Sequence, residues 1–174
     1  MNRPVLVTGF GPFPGVVDNP SARLARQVHG CRAGSSPVVG LVLPVRWRVG
    51  PLMAIEAARA LDARAVVGLG VATYRSGVHG GRLAVRRTDG RADVVGEVLP
   101  LPPGEPTVAA TLDVDRLAAA LDAVVSSDAG NYVCNAWLYQ VVPALVGRPV
   151  GFVHLPSEGL SPARLLAGLA ALLD

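Results

Sequence analysis

Two residues of this sequence have the chemistry of a nucleophile and its base. Cys134 follows a polar loop that contains glycine, and it stands in the first turn of a predicted helix, where free N–H groups favour a thiolate. His154 ends an apolar run that is typical of a buried strand. Together they predict a cysteine nucleophile with a histidine general base. A buried, inert thiol and a structural histidine are the alternative interpretation.

The loop over residues 9–15 carries two of the three phenylalanines, Phe10 and Phe13, between glycines and prolines. It follows a predicted strand, and open α/β sheets bind ligands beyond the carboxyl ends of their strands. Two ring faces there predict a clamp for a small flat ring, with simple packing at the core edge as the alternative. A dinucleotide site is a poor match, because the prolines remove N–H donors and separate this loop from the next helix.

Strands and helices alternate along the chain. Short apolar strands are predicted over residues 5–8, 38–43, 65–69 and 150–155. Helices are predicted from an Asn19 cap towards Gly30, over 49–61, over 114–125, from about Cys134 to before Gly147, and over 161–173. Two further β-like runs, 82–87 and 92–99, predict a hairpin across Asp89-Gly90. The order predicts a single α/β domain over 1–174, a three-layer α/β/α sandwich with a mostly parallel, twisted sheet of the phosphorylase/hydrolase-like kind.

Composition excludes several classes of protein. The chain has 174 residues, of which 51% are hydrophobic, and no apolar run approaches the ~20 residues of a membrane span. No apolar signal segment opens the sequence, so we expect a cytoplasmic protein. All 16 basic residues are arginines, scattered along the chain, and the net charge is only +3, which argues against nucleic-acid binding. Two cysteines exclude a disulfide framework.

The motifs, taken together and in order, resemble the pyroglutamyl peptidase I family, the pyrrolidone-carboxylate peptidases. The matching stretches are VLVTGFGPF at 5–13, NPS at 19–21, VCN at 133–135 and GFVHLP at 151–156. The resemblance implies a cysteine exopeptidase that removes N-terminal pyroglutamate from peptides through a thioester acyl-enzyme, without a metal or cofactor. It also implies a homo-oligomer, since members of the family are often tetramers.

The resemblance also implies individual roles. They are Cys134 as nucleophile, His154 as base, Phe10 and Phe13 as a sandwich for the pyroglutamyl ring, Asn19 as a polar residue near that pocket, and Arg91 as a support near the oxyanion. Backbone amides at the start of the Cys134 helix are the implied oxyanion donors.

One position departs from the family pattern. Gly81 stands where the family carries the glutamate that completes its Cys-His-Glu triad. Asp93 lies close to a second acidic position of the family and is a possible replacement, as is Asp89, although both also fit as ordinary turn residues. Losing the third group of a related triad costs ~10⁴ in turnover. Two hypotheses follow: a weakened peptidase, or a catalytically degenerate homologue that binds a small lactam-like ligand or a partner.

Overall fold

A computed structural model describes residues 3–173. The strands are β1 (Val5–Phe10), β2 (Arg32–Ala33), β3 (Ser36–Leu43), β4 (Ala65–Val71), β5 (His79–Gly81), β6 (Leu83–Val85), β7 (Thr107–Ala109), β8 (Val124–Ser126) and β9 (Val150–Leu155). The helices are α1 (Pro20–Val28), α2 (Val49–Ala60), α3 (Val114–Ala120), α4 (Val133–Ala144) and α5 (Pro162–Leu173). Within this described part of the chain, no helix has the length and apolar character needed to cross a membrane.

Seven of the strands form one sheet in the order β2-β3-β1-β4-β9-β5-β8. The pairs β1/β3, β1/β4, β4/β9 and β5/β8 are parallel, whereas β2/β3 and β5/β9 are antiparallel. The mostly parallel α/β sheet predicted from the alternating pattern is therefore confirmed. Because β1, β4 and β9 are parallel neighbours, their carboxyl ends and the loops that follow them lie at one edge of the sheet.

Helices cover both faces of this sheet and give the predicted three layers. On one face, α2 and α4 pack over a core that contains Trp47, Trp137 and Phe152. On the other face, α1, α3 and α5 bury side chains such as Leu24 and Leu165. Strand β1 is fully buried and contributes alternate residues to the two cores, as expected for a strand covered on both faces.

The predicted hairpin of residues 82–87 with 92–99 is wrong. Strand β6 pairs with β7 instead, and residues 92–99 form an irregular loop. The reason is local: the carboxylate of Asp93 accepts hydrogen bonds from the N–H groups of Val95 and Glu97. A side-chain acceptor thus takes the place of a partner strand for this backbone.

The helix predicted over 114–125 is too long at its carboxyl end. Helix α3 stops at Ala120, and Asp122 adopts a left-handed conformation with φ of 45°. The chain then reverses into β8, which pairs with β5. Strand β5 itself has the sequence His-Gly-Gly, and a run this short and glycine-rich carries no strand signal.

Helix α1 lies in direct contact with the backbone of the sheet, so Gly9→Ala is expected to lower the free energy of unfolding by about 3 kcal/mol. A Cβ atom placed on Gly9 would lie 2.0 Å from the carbonyl oxygen of Ser21, and neither backbone can yield without lifting the helix. Gly11→Ala is the matched control, because a Cβ atom there meets nothing closer than 3.5 Å. Urea unfolding compares them, and equal losses would contradict this account of the helix–sheet contact.

Candidate active site

The fold brings Cys134 and His154 to the same face of the sheet. Helix α4 begins at Val133 and approaches β4 so closely that a Cβ atom placed on Gly70 would lie 2.7 Å from Cys134 Sγ. Gly70 is in register with His154 on the neighbouring parallel strand β9. Residues in register on neighbouring strands project to the same face, so the imidazole shares the face on which the sulfur lies.

One cavity of about 240 Å³ opens beside these two side chains. It contains every site residue named from the sequence except Asp93. Those residues are Cys134, His154, Phe10, Phe13, Asn19 and Arg91. They come from β1 and its loop, from β9, from the start of α4 and from the segment after β6, so the cavity lies at the carboxyl edge of the parallel strands, as predicted for a ligand site.

Burial dominates the electrostatics of the pair. It raises the pKa of the Cys134 thiol to about 12, against weaker opposing effects of its own N–H and of Arg75. It lowers the pKa of His154 to about 3, and the charges of Arg75 and His79 lower it further while Asp128 opposes them. At neutral pH the free protein therefore holds a thiol and a neutral imidazole, not the thiolate expected from the helix N-terminus alone.

The imidazole of His154 lacks a partner on one side. Its Nδ1 is buried and makes no hydrogen bond to the described residues. On the neighbouring antiparallel strand, Gly81 pairs with Phe152 while His79 pairs with His154. A side chain at position 81 would therefore project to the same face as the imidazole, and a Cβ atom there would meet nothing closer than 3.4 Å.

Asp93 does not orient His154 in this structure. It is buried away from the cavity, and its two oxygens accept four hydrogen bonds, from Arg46 Nε and from the N–H groups of Trp47, Val95 and Glu97. Burial raises the pKa of this carboxyl, but the hydrogen bonds and the Arg46 charge outweigh that effect and leave the pKa below its ordinary value. Asp93 is a structural carboxylate that closes the 92–99 loop.

Arg91 is held at the rim of the cavity. Its guanidinium lies 4.7 Å from the centre of the Tyr132 ring and forms an ion pair of 3.1 Å with Asp89. Tyr132 is fixed in turn, since its hydroxyl donates to the carbonyl of Ala92 and its ring packs edge-on against Trp47. Asp89 is thus a partner of Arg91 and not of His154.

The loop over residues 9–15 has both roles that the sequence allowed, since its phenylalanines pack against the core and also line the cavity. Phe10 is 3% exposed and packs in the core, with its ring 6.5 Å from that of Phe152, yet it also lines the cavity beside the half-buried Phe13. Asn19 caps α1 by accepting from the Ser21 N–H, and its Nδ2 donates to the carbonyl of Gly11. Asn19 therefore fixes the path of the loop that carries the two rings.

Sequence reasoning missed two contributors to the site. Asn135 is fully buried next to Cys134 in the sequence, exchanges hydrogen bonds with both backbone groups of Val85, and donates to the carbonyl of Arg87. It thereby ties α4 to the segment that leads to Arg91. Tyr74 lines the cavity from the loop after β4. The sequence could have indicated this loop, because it follows a predicted parallel strand and therefore lies at the ligand-binding edge of the sheet.

Comparison with known proteins agrees with this geometry. Residues 3–159 match the family described as pyroglutamyl peptidase. The pyrrolidone-carboxylate peptidase of Pyrococcus furiosus is 33% identical over 166 residues, covering 87% of this chain and 80% of the relative. That of Halalkalibacterium halodurans is 31% identical over 172 residues, covering 91% and 86%. The crystal structure of pyroglutamyl peptidase I from Bacillus amyloliquefaciens has a TM-score of 0.87 at 23% identity, covering 99% of this chain and 93% of that one. The chain belongs to the pyroglutamyl peptidase family.

Proposed function

We propose that this protein is a cysteine exopeptidase that removes pyroglutamate from the N-terminus of peptides. The observation that carries the proposal is the single cavity in which a sulfur nucleophile, an imidazole and two phenylalanine rings meet. Family membership gives the same activity class, since the relatives that match are pyrrolidone-carboxylate peptidases. Cys134 is the nucleophile and His154 the general base.

In the first step the Cys134 sulfur attacks the main-chain carbonyl carbon of the pyroglutamyl residue, which belongs to the peptide bond to be cleaved. The thiol proton passes to His154. Since Nδ1 is buried, the imidazole meets the cavity through its Nε2 edge, which accepts this proton. The C–N bond then breaks, and the leaving amine takes the proton from His154. This leaves a thioester between pyroglutamate and Cys134.

In the second step water attacks the thioester, His154 accepts a proton from that water, and the thiol is restored as pyroglutamate leaves. Negative charge develops on the carbonyl oxygen in both steps. The first N–H groups of α4, from Val133 to Asn135, have no partner within the helix and serve as donors to that oxygen. Arg91 lines the same cavity and is the support near this oxygen that the family resemblance implies, with its charge partly offset by the ion pair to Asp89.

The floor of the cavity suits a small, flat and uncharged lactam. Phe10 and Phe13 supply apolar ring faces, and Asn19 supplies the polar border of this part of the cavity. A substrate with a free N-terminal ammonium group would lose hydration there without gaining a carboxylate partner, because Asp89 lies at the exposed rim of the cavity and is paired with Arg91. We propose that this difference selects a cyclised N-terminal residue over an ordinary one.

The alternative, a degenerate homologue that only binds a ligand, is favoured by one observation. His154 Nδ1 has no acceptor, so no partner fixes the tautomer that a base acting through Nε2 requires. An imidazolium formed during attack would carry a buried N–H without a hydrogen bond. Turnover therefore decides between the two functions.

Wild-type protein is expected to release the fluorophore from a pyroglutamyl-coumarin amide, because sulfur, base and ring clamp share one cavity. Cys134→Ala is expected to lower the rate at least ~10³-fold, since the covalent route is lost. Cys31→Ala is the matched control and is expected to keep the wild-type rate, because Cys31 lies outside the cavity. Equal rates in wild type and Cys134→Ala would contradict the proposal, and no turnover by wild type would favour the binding protein.

Gly81→Glu is expected to raise turnover of the same substrate by at least ~10-fold, towards the ~10⁴ that a third triad member supplies. A carboxylate next to His154 stabilises the imidazolium and so raises the pKa of His154, and the imidazolium that then forms lowers the pKa of the Cys134 thiol. Alkylation by iodoacetamide reports the second change, because only the thiolate reacts. In wild type the alkylation of Cys134 should follow a thiol pKa of about 12 and so keep rising throughout the alkaline range, and in Gly81→Glu it should rise at lower pH.

Two controls accompany this variant. Gly81→Gln has nearly the same shape without the charge and is expected to leave both the turnover and the alkylation profile close to wild type. Cys31 provides an internal reference for alkylation within the same chain. If glutamine and glutamate at position 81 gave the same rates, the missing charge would not be what limits the enzyme.

A further inference from the structure

The cavity has a buried floor and an exposed mouth. Phe10 and His154 are each 3% exposed and form the floor of the cavity that Cys134 also lines. The exposed lining residues define the mouth, and they are Thr73, Tyr74, Asp89 and Arg91. A substrate held by its pyroglutamyl ring on the floor places its reacting carbonyl at Cys134, so the rest of the peptide leaves through this mouth.

Tyr74 stands out among the mouth residues. Its side chain is 73% exposed, and among residues 3–173 it is the one large aromatic side chain left exposed in this way. Packing in the hydrophobic core therefore does not explain why an aromatic residue stands at position 74. An exposed ring face beside a cavity offers apolar area and a stacking partner to whatever binds there.

The position of Tyr74 is set by a tether between two loops. Arg75 donates to Ser126 Oγ at 3.1 Å and forms an ion pair of 2.9 Å with Asp128, so the loop after β4 is joined to the loop before α4. The Arg75 guanidinium carbon also lies 5.3 Å from the centre of the Tyr74 ring. A Cβ atom placed on Gly130 would lie 3.8 Å from the Tyr74 hydroxyl, which puts the ring beside the second loop.

The other groups of the mouth are already engaged. The Arg91 guanidinium is paired with Asp89 and covers the face of Tyr132. Neither charge is left without a partner, so the mouth offers little attraction for a charged side chain. Tyr74 is the part of the mouth whose interaction surface is still open.

We propose that Tyr74 is the platform for the side chain that follows the pyroglutamyl residue, and that it favours an aromatic side chain there. The inference rests on the proposed function, because it requires a peptide whose first residue occupies the floor. Its physical basis is ring-on-ring stacking at a position that the Arg75–Asp128 tether holds before the peptide arrives. Tyr74 is thus a specificity-determining residue and takes no part in proton transfer.

The test measures binding to the Cys134→Ala protein, so that substrates are not consumed. Isothermal titration compares pyroglutamyl-phenylalaninamide with pyroglutamyl-alaninamide, and we expect the first to bind about three- to ten-fold more tightly. Adding Tyr74→Ala should reduce the affinity for the phenylalanyl peptide to that for the alanyl peptide. Tyr74→Phe keeps the ring without the hydroxyl and should retain the preference.

The outcomes separate this inference from the function on which it rests. Binding of both peptides with equal affinity would overturn the inference and leave the peptidase proposal standing. A phenylalanyl preference that survives Tyr74→Ala would also overturn it, since another group would then supply the preference. Failure of both peptides to bind would contradict the proposed function and the inference together.

Discussion

The sulfur of Cys134 occupies its position only because position 70 carries no side chain. A Cβ atom there would lie 2.7 Å from Cys134 Sγ and 2.9 Å from the Phe152 ring, and one on Gly68 would lie 2.5 Å from the same ring. The two glycines leave space on one face of β4, and the start of α4 and the ring of Phe152 pack into this space. Since Gly70 is in register with His154, the same contact places the sulfur on the face of the sheet that carries the imidazole.

The burial that positions the pair also determines its charge state. Moving the thiol proton to His154 creates two buried ions, which attract each other, but the new imidazolium has no acceptor at Nδ1. Asp93 cannot supply one because Arg46 and backbone amides occupy it, and Asp128 is paired with Arg75. The charge of Arg75 favours the thiolate but disfavours the imidazolium. The resting site is therefore neutral.

The sequence predicted the features that depend on the pattern of apolar residues, and it missed those that depend on single hydrogen bonds or on the burial of one side chain. Continuous apolar strands indicated the parallel sheet, and the rule that such sheets bind ligands beyond the carboxyl ends of their strands then implied that Cys134, His154 and Phe10 would share an edge. The hairpin prediction failed because one buried carboxylate, Asp93, satisfies the backbone of a loop that resembles a strand. The low thiol pKa predicted from the helix N-terminus failed because dipole arguments omit desolvation, which is visible only once the neighbours of Cys134 are known.

Different forces hold the floor and the mouth of the cavity. The floor depends on glycines at positions 68 and 70, where an added Cβ atom would lie less than 3 Å from neighbouring atoms, so substitutions there disturb the sheet and the position of Cys134 together. The mouth is held by ion pairs with exposed partners such as Asp128, and pairs of this kind contribute only about 0–1 kcal/mol to folding. Residues of the mouth can therefore change without loss of the fold. If Tyr74 receives the second residue of the substrate as proposed, substrate preference is free to vary there, whereas the position of Cys134 is fixed by the packing beneath it.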